Sequence, residues 1–443
     1  MTHKINHADI KEWAANYDGE PFDAILCDPP YELGFMGKSW DSTGIAFDTD
    51  LWKDLLRICK PGAHLLAFSG SRTYHRMAVA IEDAGFEIRD MIEWVYGSGF
   101  PKSLNIGKAV DKIQGNERQV VGSYKGAVQN PNSVAGGLNA SPGADENGRT
   151  TVIATKGNSP FEGYGTALKP AHEPCVLARK PLDGTVANNV LKHGTGGLAI
   201  DATRIPTTET WKNAAQDIRG GNLMGKAGRH PNLIKESNSL GRFPSNLILD
   251  GSDEVEAVFP QTKSPAPYIQ QTKVNGDVYE LGSLNNKQGK LSTHHGDSGS
   301  ASRFFYCAKS SKSERNAGLE GFEVKEVRGG GGRVESGYDE STQHLKESAR
   351  KYGAVKSAKA NIHPTVKPLA LTKYLANLIK PPTGGRLLVP FSGSGSEMIG
   401  ALQAGWEYVE GVELTEEYIP IAEARIKYWL NKVEEESKQG VLL

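Results

Sequence analysis

The sequence has few cysteines and no long apolar run. Its four cysteines stand singly in a chain of 443 residues, and no two of them have the spacing of metal ligands. A disulfide framework is therefore not predicted, no metal site is predicted, and a reduced intracellular protein is the expectation. No stretch approaches the ~18 apolar residues that a membrane-spanning helix requires, so no contact with a membrane is predicted.

The chain also has almost no net charge. Its 51 lysines and arginines nearly balance 52 aspartates and glutamates, and the formal charge is -1. This excludes a positive field over the whole surface, of the kind that steers a protein to nucleic acid, but it leaves room for a local basic patch. Residues 212–242 hold six basic residues against two acidic ones and are a candidate for such a patch.

Short apolar runs alternate with helical patterns at both ends of the chain. Residues 22–27 have the pattern of a buried strand that two prolines terminate. Residues 386–390 and 408–413 have similar patterns near the C-terminus. This rhythm of strand and helix predicts a parallel sheet with helices on its faces.

A glycine-rich turn lies between a predicted strand and a predicted helix near the C-terminus. Residues 391–396 read Phe-Ser-Gly-Ser-Gly-Ser, and Glu413 ends the next strand, 20 residues after Gly393. Glycines allow a close ligand approach, and an acid at this separation can bind ribose hydroxyls. The turn lacks the third glycine of a dinucleotide site and the lysine of a phosphate loop. A cofactor with a ribose but no phosphate, such as S-adenosylmethionine, fits better, and an ordinary strand-to-helix turn is the alternative.

A second turn, Asp-Pro-Pro-Tyr at residues 28–31, follows the predicted strand 22–27. Ligands bind at such strand ends in open parallel sheets. The carboxylate of Asp28 and the carbonyl of Pro29 can accept both protons of one exocyclic amine, and Tyr31 offers a flat face to a base. The alternative is a capping aspartate in a proline turn, with the tyrosine in the core.

Together and in this order, the two turns resemble the motifs of the beta-class DNA amino-methyltransferases, which modify adenine N6 or cytosine N4. In that family Asp/Asn/Ser-Pro-Pro-Tyr/Phe/Trp is the catalytic motif, and Phe-x-Gly-x-Gly is the S-adenosylmethionine motif. Three further segments resemble the family: His-Pro-Thr-x-Lys-Pro within 361–368, His-Glu within 171–177, and an acid-bearing turn at 6–9.

The resemblance implies a Rossmann-like α/β methyltransferase fold with a circularly permuted motif order. Its sheet is expected to be mostly parallel and seven-stranded, with one antiparallel strand near residues 175–179. The catalytic half is expected in residues 1–182, which include a mobile insertion at 101–165, and the cofactor half in residues 361–443. Residues 183–360 are expected to form an inserted target-recognition region.

The resemblance also implies a role for each matching residue. Asp28 and the Pro29 carbonyl hold the target amine. Pro30 stiffens the turn, and Tyr31 stacks on a flipped base. Lys367 is expected at the methionine carboxylate of the cofactor. The residues implied in cofactor binding are Asp9, His363, Thr365, Lys367, Phe391, Ser392, Gly393, Gly395 and Glu413.

Double-stranded DNA is the implied partner. Arg242 in the basic stretch, and Arg303 and Lys309 beside aromatic residues, are the candidate DNA contacts. The resemblance leaves open a second copy of the chain and a cognate restriction endonuclease as further partners. It implies the cytoplasm of a bacterial or phage-infected cell as the location.

The predicted function is site-specific DNA methylation with S-adenosylmethionine, after the target base is flipped out of the duplex. Adenine N6 is preferred because family members that act on cytosine N4 mostly carry serine where this chain carries Asp28. Cytosine N4 transfer, transfer to RNA and an inactive DNA-binding protein of the same fold stay open as alternatives. A nicotinamide-dependent dehydrogenase is a more distant one.

Overall fold

The computed structural model describes both ends of the chain almost continuously and the middle in part. The described residues are 1–34, 41–97, 99, 103–127, 149–206, 212–214, 234–236, 241–263, 269–270, 290–291, 298–309, 312–322, 325–328 and 356–438. Most of the basic stretch 212–242 and residues 128–148 of the predicted insertion lie outside them. The mobility of that insertion therefore stays a prediction.

Strands and helices alternate from the first residues. Up to residue 206 the elements are β1 (Thr2–His7), α1 (Ile10–Ala15), β2 (Phe22–Cys27), α2 (Thr49–Arg57), β3 (Cys59–Phe68), α3 (Tyr74–Asp83), β4 (Glu87–Val95), α4 (Ile106–Gln114), β5 (Gln119–Ala127), β6 (Arg149–Lys156), β7 (His172–Arg179) and α5 (Val186–His193). The next are β8 (Lys212–Ala214), β9 (Ile234–Glu236), β10 (Leu247–Leu249), α6 (Asp253–Glu256), β11 (Gln261–Lys263), β12 (Ile269–Gln270), β13 (Lys290–Leu291), β14 (Ser298–Ser300), β15 (Tyr306–Cys307), β16 (Lys325–Arg328) and β17 (Lys356–Lys359). The last are α7 (Leu369–Leu378), β18 (Arg386–Val389), α8 (Ser396–Gln403), β19 (Tyr408–Glu413) and α9 (Ile419–Lys438).

Nine strands form one sheet, in the order β1, β19, β18, β2, β3, β7, β4, β10, β15. Neighbouring strands are parallel, except that β7 is antiparallel to both β3 and β4. A mostly parallel sheet with one antiparallel strand at the expected residues is thus confirmed. The sheet exceeds the predicted seven strands because two short strands from the middle of the chain, β10 and β15, extend its β4 edge.

The sheet joins segments that are far apart in the sequence. Strands β1 to β4 and β7 come from residues 1–182, β10 and β15 from residues 183–360, and β18 and β19 from residues 361–443. Strand β2 is buried at all six of its residues, as expected for a central strand of a parallel sheet. The predicted domain boundaries, and the assignment of the middle part to target recognition, stay predictions.

Side chains of β2 alternate between two hydrophobic cores. Ala24 and Leu26 face one core, which α7, α8 and α9 cover. Ile25 and Cys27 face the other, which α1, α2 and α3 cover. Helices therefore cover both faces of the sheet, as the strand and helix pattern predicts. Burial raises the pKa of Cys27 well above its usual value, so this thiol is a core residue and not a nucleophile.

Among the described residues, five two-stranded antiparallel pairs lie outside the large sheet: β5–β6, β8–β9, β11–β14, β12–β13 and β16–β17. The first of these pairs and α4 are the regular elements in the described part of the predicted insertion. Its parts are held together by Arg118, whose guanidinium pairs with Asp111 of α4 and lies 2.8 Å from the Glu162 carboxylate. No helix in the described ranges combines the length and apolar character that crossing a membrane demands.

Candidate active site

The two predicted motifs follow two neighbouring strands. Strands β2 and β18 are hydrogen-bonded in parallel, with Ile25 opposite Leu388. Residues 28–31 therefore leave β2 at the same edge of the sheet where residues 391–396 leave β18. Ligand sites of open parallel sheets lie at this edge. The two turns, which come from opposite ends of the chain, therefore lie at one edge of the sheet.

A lysine from the predicted cofactor loop lies at the turn of residues 28–31. The Lys367 ammonium donates to Asp28 Oδ2 at 2.6 Å and to the Tyr31 hydroxyl at 2.9 Å. It also lies 3.3 Å from Glu173 Oε2. The Lys367 side chain is only 7% exposed, so these charges meet largely out of contact with water. Its predicted contact with a methionine carboxylate stays a prediction.

Glu173 reaches the same place because β7 runs against its neighbours. An antiparallel strand begins at the edge where the parallel strands end, and Glu173 is the second residue of β7. Its Oε2 accepts a hydrogen bond from the Tyr31 hydroxyl at 2.9 Å. The sequence pattern marks the segment 171–177 without giving this carboxylate a role. In the sequence, the feature that points to Glu173 is a charged residue at the start of an apolar strand.

Opposing effects set the charges of this cluster. Burial alone would lower the pKa of Lys367, but the nearby carboxylates of Asp28 and Glu173 raise it above its ordinary value. Burial and the same two carboxylates raise the pKa of the Tyr31 phenol well above its ordinary value. Lys367 is therefore a cation and Tyr31 a neutral phenol near pH 7.

Asp28 keeps one oxygen for a ligand. Its Oδ2 accepts from Lys367, whereas its Oδ1 is buried and has no hydrogen-bond partner among the described residues. A buried carboxylate oxygen without a donor is costly, and a ligand N–H placed beside it would remove that cost. The turn is thus suited to hold an amine.

The glycine turn has backbone angles that glycine adopts readily and other residues do not. Gly393 and Gly395 have φ of 49° and 81°. The Gly393 N–H donates to Glu413 Oε2 at 2.7 Å, and the Thr415 N–H donates to Oε1 of the same carboxylate at 2.8 Å. A Cβ at Gly393 would lie 2.7 Å from His363 Nε2. The strand-end acid therefore lies against the turn, as the spacing predicts.

The imidazole of His363 covers this turn. Its Nδ1 donates to the carbonyl of Thr365, an exposed residue, and its ring meets Tyr418 edge-on with centroids 4.8 Å apart. Burial lowers the pKa of His363 to about 4, so the ring is neutral near pH 7. With Nδ1 carrying the proton, Nε2 is an acceptor, and it faces Gly393.

The other predicted cofactor residues have structural contacts of their own. Ser392 is buried, and its hydroxyl donates to a backbone carbonyl of β19 at 3.3 Å. Phe391 packs against the core that α1, α2 and α3 cover. Asp9 accepts the Lys11 N–H at 2.8 Å and caps α1. It follows β1, whose last residue pairs with Glu413, so it lies on the edge of the sheet that carries the cleft.

Comparison with known proteins identifies the family. A family profile described as DNA methylase, which covers the N6 and N4 enzymes, matches residues 22–424. The chain belongs to this family. The methylases of this family depend on S-adenosylmethionine. The predicted cofactor is therefore confirmed for the family to which the chain belongs. No curated protein matches the chain.

Two solved structures are similar to this methylase. The M1.HpyAVI-SAM complex is 12% identical, with 96% of this chain and 100% of that chain covered and a TM-score of 0.35. The PvuII DNA methyltransferase, described as cytosine-N4-specific, is 10% identical, with 98% of this chain and 93% of that chain covered and a TM-score of 0.40. Likeness at this level assigns no target base to the methylase.

The residues of the methylase fit S-adenosylmethionine. The glycine turn offers backbone without side chains at the end of β18, and no lysine of a phosphate loop is part of it. Both oxygens of Glu413 are held by backbone N–H groups, and each keeps a lone pair that can accept from a ribose hydroxyl. The same edge of the sheet also carries His363, Phe391 and Asp9.

The helices that flank the glycine turn of the methylase carry buried ionisable residues to which no motif assigns a role. Glu397, in the first turn of α8, is 4% exposed, and Arg425 of α9 is fully buried. Burial, with the charge of Asp28, raises the pKa of Glu397 to about 7. Burial lowers the pKa of Arg425 to about 10. The sequence signal for both is a charged residue among the apolar positions of a helix.

The predicted DNA contacts of the methylase fall into two groups. Lys309 is exposed and follows β15, which ends at the same edge as β2. Arg242 and Arg303 precede β10 and β15, with their guanidinium carbons 5.1 and 4.3 Å from the ring centre of Phe304. Arg303 also donates to the carbonyls of Gly299 and Ser300 in β14, each at 2.8 Å. Contact of all three residues with DNA stays a prediction.

Proposed function

We propose that this chain transfers the methyl group of S-adenosylmethionine to the N6 amine of adenine at specific sites in double-stranded DNA. The observation that supports it is Asp28 Oδ1, which is buried and unpartnered among the described residues, in a turn that leaves the sheet at the same edge as the glycine turn. The choice of adenine over cytosine rests on the aspartate at position 28, where the cytosine enzymes of the family mostly carry serine.

Asp28 and the Pro29 carbonyl would make the amine reactive. The lone pair of an aryl amine is delocalised into the ring, so the nitrogen is planar and a weak nucleophile. Hydrogen bonds from its two N–H groups to fixed acceptors favour a pyramidal nitrogen with a localised lone pair. When bound, S-adenosylmethionine supplies a methyl group activated by a sulfonium sulfur. Holding the nitrogen toward the glycine turn is a positioning effect, which can account for much of the rate.

Tyr31 would hold the flipped base. Its hydroxyl is fixed at two points, by Glu173 and by Lys367, so the orientation of the ring is set in the free protein. Stacking of a base on an aromatic ring stabilises by about 1–3 kcal/mol, which offsets part of the few kcal/mol that unstacking costs. A ring that is already ordered also loses less entropy on binding.

One assay tests the proposal and separates it from its alternatives. The protein is incubated with unmethylated duplex DNA and methyl-labelled S-adenosylmethionine, and the DNA is digested to nucleosides that are then weighed. Methylated deoxyadenosine supports the proposal. Methylated deoxycytidine assigns cytosine N4 instead, and no transfer in the presence of bound cofactor favours the inactive DNA-binding protein.

The Asp28→Ala variant is the control for the mechanism. It should abolish transfer and leave the calorimetric affinity for S-adenosylmethionine near that of the wild type, because Asp28 is proposed to hold the amine and not the cofactor. Full activity in this variant would remove the mechanism.

The proposal extends to the partners. Residues 183–360 would recognise the target sequence, and a cognate restriction endonuclease would act on the same site. Long-read detection of modified bases in a host that expresses the protein would report the base and its sequence context together. Light scattering on the purified protein would report whether two copies associate.

A further inference from the structure

Three residues outside the family motifs contact the loop that carries His363 and, through Arg425, the glycine turn. Glu314 and Arg315 lie in the 3-10 turn Lys312–Arg315, and Asn316 follows it. This segment belongs to the middle part of the chain, which is expected to recognise the target. It will be called the 314–316 segment.

The 314–316 segment holds the loop that carries His363. The Arg315 guanidinium donates to the His363 carbonyl. The buried Asn361 side chain donates to the Arg315 carbonyl at 2.9 Å, and its backbone N–H donates to Asn316 Oδ1 at 3.3 Å. Asn361 Oδ1 in turn accepts the His363 N–H at 3.0 Å. The position of the imidazole that covers Gly393 therefore depends on this segment.

The Glu314 side chain caps the N-terminus of α7. The residue before this helix is Pro368, which provides no side-chain cap. Glu314 Oε2 accepts the Leu369 N–H at 3.3 Å, and so supplies the bond that a capping residue would make. A carboxylate at a helix N-terminus is also favoured by the helix dipole. Lys367, which reaches Asp28, lies two residues before Leu369.

Arg425 connects the 314–316 segment to the glycine turn. One nitrogen of its buried guanidinium donates to the Ser394 carbonyl at 2.5 Å, the Ser394 hydroxyl at 2.9 Å and the Ser396 hydroxyl at 3.2 Å. The other nitrogen donates to the Glu314 carbonyl at 3.4 Å. A single guanidinium thus bridges the turn that follows β18 and the segment that holds the His363 loop.

We propose that Glu314 and Arg315 are positioning residues of the cofactor site, which hold the His363 loop and the glycine turn in one geometry. They act through His363, Leu369 and Arg425 and do not touch the reacting atoms. The inference rests on the proposed function, because it takes this cleft as the S-adenosylmethionine site. It makes cofactor affinity depend on a segment of the predicted target-recognition region.

Arg315→Ala tests the inference most directly. The variant loses a charge-assisted hydrogen bond to the His363 carbonyl, so we expect the Kd for S-adenosylmethionine to rise by about tenfold or more in calorimetry. Arg315→Lys keeps a cation at the site and should recover part of the affinity. Glu320→Ala, an exposed position in the same stretch of chain, is the matched control and should bind like the wild type.

Steady-state kinetics supply a readout that general destabilisation would not move. The KM for S-adenosylmethionine should rise with the Kd, while the KM for DNA stays within about twofold of the wild type. If Arg315→Ala does not fold, Glu314→Ala takes its place, with an expected rise in Kd of about fivefold for the lost cap of α7.

Cofactor binding by the wild type shows whether a negative result contradicts the proposed function or only this inference. A wild-type protein that does not bind S-adenosylmethionine overturns the proposed function itself. If the wild type binds and the folded Arg315 and Glu314 variants bind equally well, the inference is overturned and the proposed function stands. A lowered melting temperature with an unchanged Kd counts against the inference in the same way.

Discussion

Lys367 donates a 2.6 Å hydrogen bond to Asp28, although 339 positions separate the two residues in the chain. The bond joins the turn after β2 to the loop before α7. The same ammonium contacts Tyr31 and Glu173, so three distant segments contribute to one charged cluster. The proposed catalytic carboxylate is therefore oriented by the half of the chain that carries the cofactor motif.

Replacing Lys367 by methionine should remove most of the methyl transfer. The variant leaves two partly buried carboxylates without their cation, and breaking a buried pair in this way costs up to about 3–5 kcal/mol of stability. We expect kcat to fall by about 100-fold or more, because Asp28 loses its fixed orientation. Lys367→Arg, which keeps the charge, should recover part of the stability. A methionine variant with wild-type kcat would show that the cluster does not orient Asp28.

The Tyr31→Phe variant distinguishes the contribution of the aromatic ring from that of the hydroxyl group. The variant keeps a stacking surface but loses both hydroxyl contacts, so we expect kcat to fall by about tenfold through poorer positioning. Tyr31→Ala also loses stacking, worth about 1–3 kcal/mol, and should raise the KM for DNA above that of the phenylalanine variant. Equal kinetics for the phenylalanine variant and the wild type would mean that the contacts with Glu173 and Lys367 are dispensable.

Gly393→Ala should prevent cofactor binding. The residue has φ of 49°, and the new Cβ would meet the His363 ring at 2.7 Å. Gly115 also has a positive φ, of 69°, but nothing lies within 4 Å of a Cβ built there. Gly115→Ala therefore carries the backbone strain alone, about 1–2 kcal/mol. Calorimetry should show that only the Gly393→Ala variant loses affinity for S-adenosylmethionine. Similar affinities in the two variants would mean that the cofactor binds elsewhere.

Glu397 should contribute a loss of stability as the pH rises toward neutrality. Burial and the charge of Asp28 raise its pKa to about 7 in the folded protein, from an ordinary value of 4.5. Between these values the folded state keeps a proton that the unfolded chain releases, so the free energy of unfolding falls, by up to about 3 kcal/mol. Above about pH 7 the loss is complete.

Glu397→Gln isolates this effect in urea unfolding at pH 5, 6, 7 and 8. The neutral amide cannot take part in the titration, so the free energy of unfolding of the variant, relative to that of the wild type, should rise between pH 5 and 7 and stay higher at pH 8. Parallel profiles for the variant and the wild type would assign the pH dependence to other groups.

Local sequence pattern predicts the centre of the sheet well. Strands β2 and β19 begin and end where their apolar runs do, since a strand buried on both faces needs such a run. Strands β10 and β15 have three and two residues, too few to show a period. They form through pairing with partners already in the sheet, which is why the number of strands was underestimated.

The motifs also predict which loops meet, but not how their charges pair. Asp28 and Lys367 each lie in a predicted motif, yet their contact depends on where the loop before α7 is held. Glu173 joins them through the direction of β7, which its own residues do not encode. Glu397 and Arg425 acquire their environment only when α8 and α9 pack, so their place in an apolar helical pattern marks them as unusual but does not identify their partners.

The central strand pair has a consequence for how the protein is made. The Arg386 N–H at the start of β18 donates to the Asp23 carboxylate of β2 across 363 positions. At about 5–20 residues per second, a ribosome needs roughly 20–70 s to complete that interval. Throughout it, one side of β2 presents unpaired backbone groups that can capture other chains. A rearranged gene that starts near codon 361 would let the two strands emerge soon after one another and should yield less aggregate.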